Sequence, residues 1–592
     1  MDQPQKRKWG TTNPISEAPP TEADLAQDEA LIDTLTSLNV FETPEGNERR
    51  KAVLKHVQRV VEQFVQRVGQ RKGTKKEVLE KAGGKIFWFG SFALGVHGPA
   101  SDIDTLIVVP KHVNIADYFD MFETVFREMS EEKDIDEWVP VEDAYVPVIK
   151  ITYRGVPLDL LFASLPLASV PREMPNVDKS MLKDISEEAV RSVNGTRVVK
   201  ELLASIPQMR TYKFALRAVK LWAKNRAIYG NVFGYPGGIA WAILVARICQ
   251  LYPMACSATI LAKFFGLMHK WNWPRPVFLK DHELPEPGQT SFRVWNPAVN
   301  IQDSRHLMPV ITPAFPAMCS THNVTASTKQ IMMEEFRRAD QIVGDIFSGQ
   351  RTWDALFTNH TFFTQDHKYY LSVIAAGRTK EAYATFHGLV QSKVRLLVVG
   401  IDDSQTGIDV ARPYPEGIER VHRCKNEDQV EAVTKGSLDY LIPQSELPTT
   451  NADGDHIIYT MTFYIGLRLP KGKYPPSHAR VVSLTTCIEK AALDISYITN
   501  NFRSRVVESK LYDEAAMSVK VVHTRNTALP DDVFKPDEVR PAKAKPAKEK
   551  KKSKSGAKRH HADTGLPDSE QQAAKRHQTE SAAHGVVPPT AA

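Results

Sequence analysis

Cysteine is scarce here. The chain has five in 592 residues (Cys249, Cys256, Cys319, Cys424, Cys487), and none stands in a CxxC pair or another metal-ligand spacing. So few and so scattered, they give no sign of a disulfide framework or a thiolate zinc site, and they suit reduced thiols of cytosol or nucleus. Long apolar runs are missing too. Nothing approaches the ~18 residues of a membrane span, so no membrane partner is expected. The opening MDQPQKRKWGTTNP lacks the apolar stretch of a secretory leader. The Asn323-Val324-Thr325 sequon is accordingly read as chance. There is no internal repeat. A broad basic surplus is also absent. From Arg540 to Arg559 there are ten basic residues and one acid, against +6 for the whole chain, so the rest is net negative. Any nucleic acid held by the folded part meets local clusters, not a general positive field.

What is present is enough for several cores. At 592 residues three or four domains are expected. With 42% apolar and 25% charged residues, most of the chain should fold. The Lys-rich run is too charged and too poor in large apolar residues to do so. It reads as a nuclear import signal, with Lys575-Arg576 as a second cluster. A nonspecific RNA-binding arm or a solubilising tail are the other readings.

Residues 1–25 are rich in Pro and polar groups and read as an extended arm. The segment 28–69 is broken helical pattern, with an amphipathic helix over 52–68. Short β-rich runs follow at 85–89, 103–109, 146–152 and 156–163, mostly bounded by Gly or Pro, and read as strands. Between them 117–130 reads as helix, and Arg154-Gly155 as a tight turn. This is a mixed α/β layer. Helical pattern dominates afterwards, at 212–229, 238–251 and 328–347. A third region mixes expected strands at 394–401, 457–467 and 518–523 with helical stretches such as 369–390, which suggests a small α+β domain. From residue 530 onward the chain is low-complexity.

The chemistry concentrates in FGSFALGVHGPASDIDTLIVVP, from Phe89 to Pro110. Asp102 and Asp104 are two apart on an expected strand and share a face, with Ile103 turned to the opposite, packed side. Two carboxylates on one face repel unless a cation lies between them. Mg²⁺ suits the place, because it prefers oxygen ligands and keeps water positions for phosphates. Asp159, alone among apolar residues in GVPLDLLFA, supplies a third acid, costly in a buried strand unless paired or metal-bound. Three such acids can hold two ions ~3.5–4 Å apart. Gly90 and Ser91 offer backbone N–H groups and a hydroxyl to a triphosphate at the start of a short helix. A bare DxD or a bare GS means little, and the weight rests on their ordered combination.

A second constellation runs from Lys213 to Ile239. Lys213, Arg217, Lys220 and Lys224 form one helical stripe. Lys213, Arg217 and Lys224 read as a solvated face. Lys220, in AVKLWA, is the one placed among apolar neighbours to meet a triphosphate as a point charge. Next, YGNVFGYPGG interleaves Tyr229, Asn231, Phe233 and Tyr235 with glycines. Aromatics stack a base and Asn reads its edge. The plain alternative is a helix–loop–helix turn with aromatic plugs.

With these residues the chain resembles the eukaryotic nuclear poly(A) polymerases of the DNA polymerase β-like nucleotidyltransferase superfamily. The resemblance covers roughly residues 10–525. Its specific pieces are FGSFALGVHGPASDIDTL, SVNGTRV, ALRAVKLWAKNRAIYGNVFGYPGGIAWAILVARICQLYP, WNWPRPV, VWNP and MPVITPAFPAMCSTHNVT. It implies a multidomain α/β and α+β protein. The expected parts are an arm at 1–25, a nucleotidyltransferase domain of mixed sheet and helices at 26–205, a helical central domain at 206–352, an RRM-like (ferredoxin-like) RNA-binding domain at 353–528, and a disordered basic tail at 529–592. It implies template-independent addition of AMP from ATP to RNA 3′ ends with release of pyrophosphate, in mRNA 3′-end processing in the nucleus. Asp102, Asp104 and Asp159 match the family's metal triad, for two Mg²⁺ ions with Mn²⁺ as a substitute. Phe89, Gly90, Ser91, Lys220, Tyr229, Asn231, Gly238 and Ile239 match positions that contact ATP, and Ser101 is counted with them. Lys150 and Asn194 match positions near the RNA end or the nucleotide. Ala93 stands where the family commonly has Arg. The implied partners are cleavage and polyadenylation factor subunits and, through the tail, a nuclear import receptor, with the enzyme itself a monomer. Two other functions stay open on the residues alone. One is a different terminal nucleotidyltransferase, uridylyl- or CCA-adding, because phosphate and metal groups do not choose a base. The other is an inactive RNA-binding scaffold.

Overall fold

The computed structural model describes residues 9–142, 144–182, 184–283, 292–404, 406–443, 455–470 and 495–542. The Lys-rich run beyond residue 542, the Lys575-Arg576 cluster and Cys487 lie outside the described residues. Among the described residues no helix is long and apolar enough to cross a membrane. The other four cysteines are free and buried.

The amino-terminal segment is fastened to the central helices. The Ile15 N–H donates to the Leu251 carbonyl, and the buried side chains of Arg247 and Gln250 donate to Thr12 Oγ1 and to the Trp9 carbonyl. Helix α1 (Glu22–Ser37) starts inside the expected arm, behind a Thr21–Asp24 capping box. It lies on the same central helices. Ala258 donates to Asp28, Trp353 donates to the Gln27 carbonyl, and Leu31 and Leu35 join the central core.

Helices α2 (Pro44–Arg71) and α3 (Lys76–Ala82) lead into β1 (Lys85–Trp88), the short α4 (Gly90–Ala93) and β2 (Ile103–Pro110). Then come α5 (Ile115–Glu128), β3 (Ile135–Val141), β4 (Val148–Tyr153), β5 (Val156–Leu165) and α6 (Glu187–Ala204). The sheet order is β1-β2-β5-β4-β3, with β2 and β5 parallel and every other pair antiparallel. Period-two alternation divides its two faces. Ile103, Ile107, Leu158, Leu160 and Phe162 pack with Phe64 of α2 and Phe122 of α5. Leu106, Val108, Ala163 and Leu165 pack with Ala189 and Val193 of α6. Arg154 and Gly155, both at positive φ, make the tight β4–β5 turn expected of them. Strand β3 was not foreseen, because it is a half-exposed edge strand with Pro140 in it.

The central body holds α7 (Met209–Asn225), α8 (Gly238–Leu251), α9 (Ser257–Met268), α10 (Ile301–Ser304) and α11 (Ala326–Phe347). Helix α8 is buried from Ala240 to Leu251 and apolar except for Arg247 and Gln250, the two residues that hold the amino-terminal segment. The carboxy-terminal part runs β6 (Tyr369–Gly377), α12 (Lys380–Asp402), β7 (Val410–Pro413), β8 (Ile418–Cys424), α13 (Glu427–Thr434), β9 (His456–Arg468), α14 (Ser496–Val507) and β10 (Met517–Arg525). Its strands pair antiparallel in the order β10-β6-β9-β7, with β8 also on β9. Two expectations are corrected here. The run 394–401 is not a strand but the second half of α12. Its buried residues Val390, Val394, Leu397, Val398 and Ile401 keep helical spacing, which its β-branched composition hid. The stretch expected as helix over 369–390 begins with β6, an apolar run buried on both faces. The folded part also passes the expected start of the tail at 529. Leu529 and Val533 are buried against Phe362, Tyr370 and Tyr464, and Asp532 pairs with Arg420.

Candidate active site

Strand β1 delivers the chain to a turn that closes over the first acids. Phe89 N–H donates to the Asp104 carbonyl at 2.9 Å, and Val96 N–H donates to the Ser91 carbonyl at 2.9 Å. Gly90 has φ +59°, a conformation that costs glycine little. A Cβ at Gly90 would overlap Asp104 Oδ2. The absence of a side chain is what lets the turn lie on the carboxylate.

Parallel pairing sets Asp104 directly beside Asp159, and Asp102 precedes Asp104 by one strand repeat. Ile103 between them is in the core. Carboxylate oxygens of Asp102, Asp104 and Asp159 all lie within 4.8 Å of one another, with Asp102 exposed and the other two half-buried. Burial, then the charges of Asp102 and Asp159, pushes the Asp104 carboxyl up to about 7. Three acids this close, offering only oxygen, fit a hard divalent cation. On the next strand Lys150 faces Asp159 and donates to both its oxygens, at 2.8 and 3.1 Å.

Beside the acids opens a cavity of about 730 Å³. Phe89, Gly90, Ser91, Ser101, Asp102 and Asp104 line its sheet side, Asn194 its α6 side, and Lys220, Tyr229, Gly238 and Ile239 its central-helix side. Of the residues singled out from sequence, Asp159, Lys150 and Asn231 are not in its wall. Asp159 and Lys150 stand behind Asp104 on the sheet. Asn231 lies in the loop after α7, where its carbonyl accepts from Asn323 Nδ2 at 3.2 Å. Asn323 of the sequon is thus an internal donor, and Thr325 is the N-cap of α11. The side-chain oxygens of Asn194 and Asn231 are buried without a partner among the described residues. Such atoms are costly unless a ligand or water meets them.

Of the basic stripe, Lys224 is exposed as expected, while Lys213 and Arg217 are half-buried against the turn at Gly95. Arg217 donates to the Gly95 carbonyl at 2.6 Å and lies over the Phe41 ring, and the Lys220 ammonium is 3.5 Å from the Val96 carbonyl. Lys224 stands over the Tyr229 ring and lines the cavity. Lys213, Arg217 and Lys220 thus meet the turn that follows α4. Burial, then Lys224, brings the Lys220 amine down to about 8. Burial pushes the Tyr229 phenol up to about 12. A Cβ on Gly238 would come within 2.8 Å of that phenol oxygen, so glycine permits the close approach of helix and ring. The sequence reading missed Val198, Leu216 and Thr312 in the cavity wall. Val198, one helical turn after Asn194, was open to the i, i+4 rule. No spacing connects Thr312 with the acids.

Three family models match consecutive stretches. They are the poly(A) polymerase nucleotidyltransferase domain over 10–206, the poly(A) polymerase central domain over 211–359 and the poly(A) polymerase predicted RNA binding domain over 361–543. Among curated proteins, Poly(A) polymerase pla1 of Schizosaccharomyces pombe is 42% identical over 90% of this chain and 95% of its own length. Poly(A) polymerase PAPa of Candida albicans is 39% identical over 90% and 94%. A Poly(A) polymerase of Dictyostelium discoideum is 40% identical over 71% of this chain and 51% of its own. A solved cytoplasmic RNA terminal U-transferase is 15% identical, with TM-score 0.37, covering 57% of this chain and 99% of its own.

Proposed function

The chain belongs to the eukaryotic poly(A) polymerases of the nucleotidyltransferase superfamily, and from that premise we infer the chemistry of its site. It is a template-independent polynucleotide adenylyltransferase that adds AMP from ATP to RNA 3′ ends and releases pyrophosphate. The observation that carries the site reading is the convergence of Asp102, Asp104 and Asp159 within 4.8 Å beside a nucleotide-sized cavity.

In the reaction an RNA 3′ oxygen bonds to the α-phosphorus of ATP as the bond to the β-bridging oxygen breaks. Pyrophosphate leaves and the hydroxyl proton passes to solvent. Asp102, Asp104 and Asp159 would hold two Mg²⁺ ions, with Mn²⁺ as a substitute of the same oxygen preference. When bound, such ions acidify the attacking hydroxyl and neutralise the leaving pyrophosphate. The chain's own groups do the positioning. Gly90 and Ser91, with Ser101 and Phe89 beside them, receive the triphosphate, and the Lys220 ammonium meets its charge. Tyr229 and Ile239 flank the base and Gly238 lets it approach the backbone, while Asn231, set back from the cavity wall, keeps its side-chain oxygen, unpartnered among the described residues, for an edge contact. Lys150 and Asn194 face the RNA end, and Lys150 also fixes the rotamer of Asp159.

Work in mRNA 3′-end processing in the nucleus follows from family membership together with the Lys-rich run after Arg540. So do cleavage and polyadenylation factor subunits and an import receptor as partners, with the enzyme monomeric. We divide the chain at about residues 205 and 352, as the changes of pattern suggest, and carry the third part on to about residue 541, past the buried Leu529 and Val533. Purified full-length protein, an RNA primer, Mg²⁺ and each nucleoside triphosphate in turn test the reading. Long extension with ATP alone is expected. Comparable extension with UTP or CTP makes it another terminal transferase, and RNA binding without extension makes it a scaffold.

A further inference from the structure

The loop that joins α7 to α8 carries Tyr229 and Asn231, and it is fastened from the side opposite the cavity by the carboxy-terminal sheet. Arg412, on β7, is 4% exposed. Its guanidinium donates to the Arg226 carbonyl at 2.8 Å and pairs with Asp366 at 2.9 Å. Three residues before Tyr229, that carbonyl sits where α7 ends, just ahead of left-handed Ala227. From within the loop, the fully buried Tyr235 sends its phenol O–H to the Pro413 carbonyl, also on β7, at 3.0 Å. Phe233 packs its ring against Phe463 of β9, the strand on which β7 is paired. The loop is therefore held at its entry, middle and exit by one short strand and that strand's neighbour.

Helix α7 alone does not demand this arrangement. Its end is already secured by Arg226, whose guanidinium pairs with Glu335 and donates to the Asn359 carbonyl. The β7 contacts add something else. They fix the chain after the helix, the stretch that decides where the Tyr229 ring and the Asn231 amide stand. A loop free to leave that position would bind nucleotide only in the fraction of molecules where it is in place, and apparent affinity falls by that fraction.

We propose that β7 is a brace for the base-side loop, and that Arg412 and Tyr235 are positioning residues through which the RNA-binding part of the chain sets affinity for ATP. The inference rests on the assignment of Tyr229 and Asn231 to the nucleotide. Neither Arg412 nor Tyr235 touches substrate; each acts through the loop.

The test uses full-length protein in steady-state primer extension, varying ATP and RNA separately. Tyr235→Phe removes one hydroxyl and leaves the ring in place. It is expected to raise KM for ATP about threefold to tenfold, the effect of one hydrogen bond, with KM for RNA unchanged. Arg412→Ala is expected to raise it further and Arg412→Lys to recover part of the loss. Asn231→Ala serves as the control for the underlying assignment. If Asn231→Ala leaves KM for ATP unchanged, the nucleotide assignment falls and the brace falls with it. If Asn231→Ala weakens ATP while Tyr235→Phe lowers the melting temperature and leaves KM for ATP untouched, the β7 contacts are merely structural and the proposal is overturned.

Discussion

Gly90 and Asp104 occupy space that only glycine leaves free, since a Cβ on the first would overlap the second's carboxylate. The Gly90 turn and the Asp104 carboxylate are thus one mechanical unit, tied also by the Phe89 N–H on the Asp104 carbonyl. Gly90→Ala must move one or the other, and left-handed Ala adds strain of roughly 1–2 kcal/mol. Extension should fall at least about a hundredfold, since small misplacements of reacting groups are costly. The melting temperature should drop by only a few degrees. Near-normal turnover in Gly90→Ala would show that the turn has slack the structure does not suggest.

Lys150 and Asp159 make the next test. Asp159→Asn keeps the shape of a ligand but not its charge, and should cut kcat at least about a hundredfold at saturating Mg²⁺. Lys150→Met removes the group that orients the carboxylate and leaves all three acids in place, and should cost about tenfold, in activity or in the Mg²⁺ needed. Titrating Mg²⁺ against kcat for both variants reads this out. Chelation should stop extension and added Mg²⁺ restore it, with circular dichroism unchanged throughout. Equal losses in the two variants would remove the distinction between ligand and support.

The seam after β10 should carry stability rather than activity. Leu529 is wholly buried among aromatic rings, and Leu529→Ala is expected to cost about 2–4 kcal/mol. Asp532→Ala would leave the buried Arg420 without its carboxylate, at a cost of about 1–3 kcal/mol for a buried donor that loses its partner. Denaturant melts measure both, and kcat should be unaltered in whatever remains folded.

His360 predicts a pH effect. Burial, then the nearby cations Arg412, Lys535 and Arg226, lowers its imidazole from the ordinary 6.5 to about 4. Its Nδ1 accepts from the Phe362 N–H, a role only the neutral ring fills. Between those two values the unfolded chain takes up the proton and the folded one does not. Stability from this group is therefore present above about pH 6.5 and declines as pH falls toward 4. His360→Asn, which keeps an acceptor but does not titrate, should make that limb of the melting temperature against pH shallower, with the buried His97, His367 and His422 supplying the rest of it.

The catalytic half was the more legible part of the sequence. Strand alternation put Ile103 in the core and the flanking acids on the other face, and a lone Asp159 in an apolar strand announced itself. The helical half hid more. Lys213 and Arg217 look like any wet stripe until the turn after α4 is brought against them, which periodicity on one helix does not reveal. In the carboxy-terminal part the β-branched run at 394–401 imitated a strand, because residue type and burial pattern pointed different ways. Nothing local in Arg412 or Thr312 tells of a loop or a cavity far away in the chain.

Residues 9–37 are anchored on α8 and α9, so the catalytic sheet is an insert in the helical body. The backbone enters it through residues 38–43 and leaves through 205–208. These bridges are the covalent link, but Leu94, Val96, Val199 and Leu202 also pack into the helical core, and Arg217 reaches across to the Gly95 carbonyl. Any parting of sheet and helices about the bridges has to open that seam, so a glycine or proline placed in either bridge changes how far the two can part, far from any reacting atom.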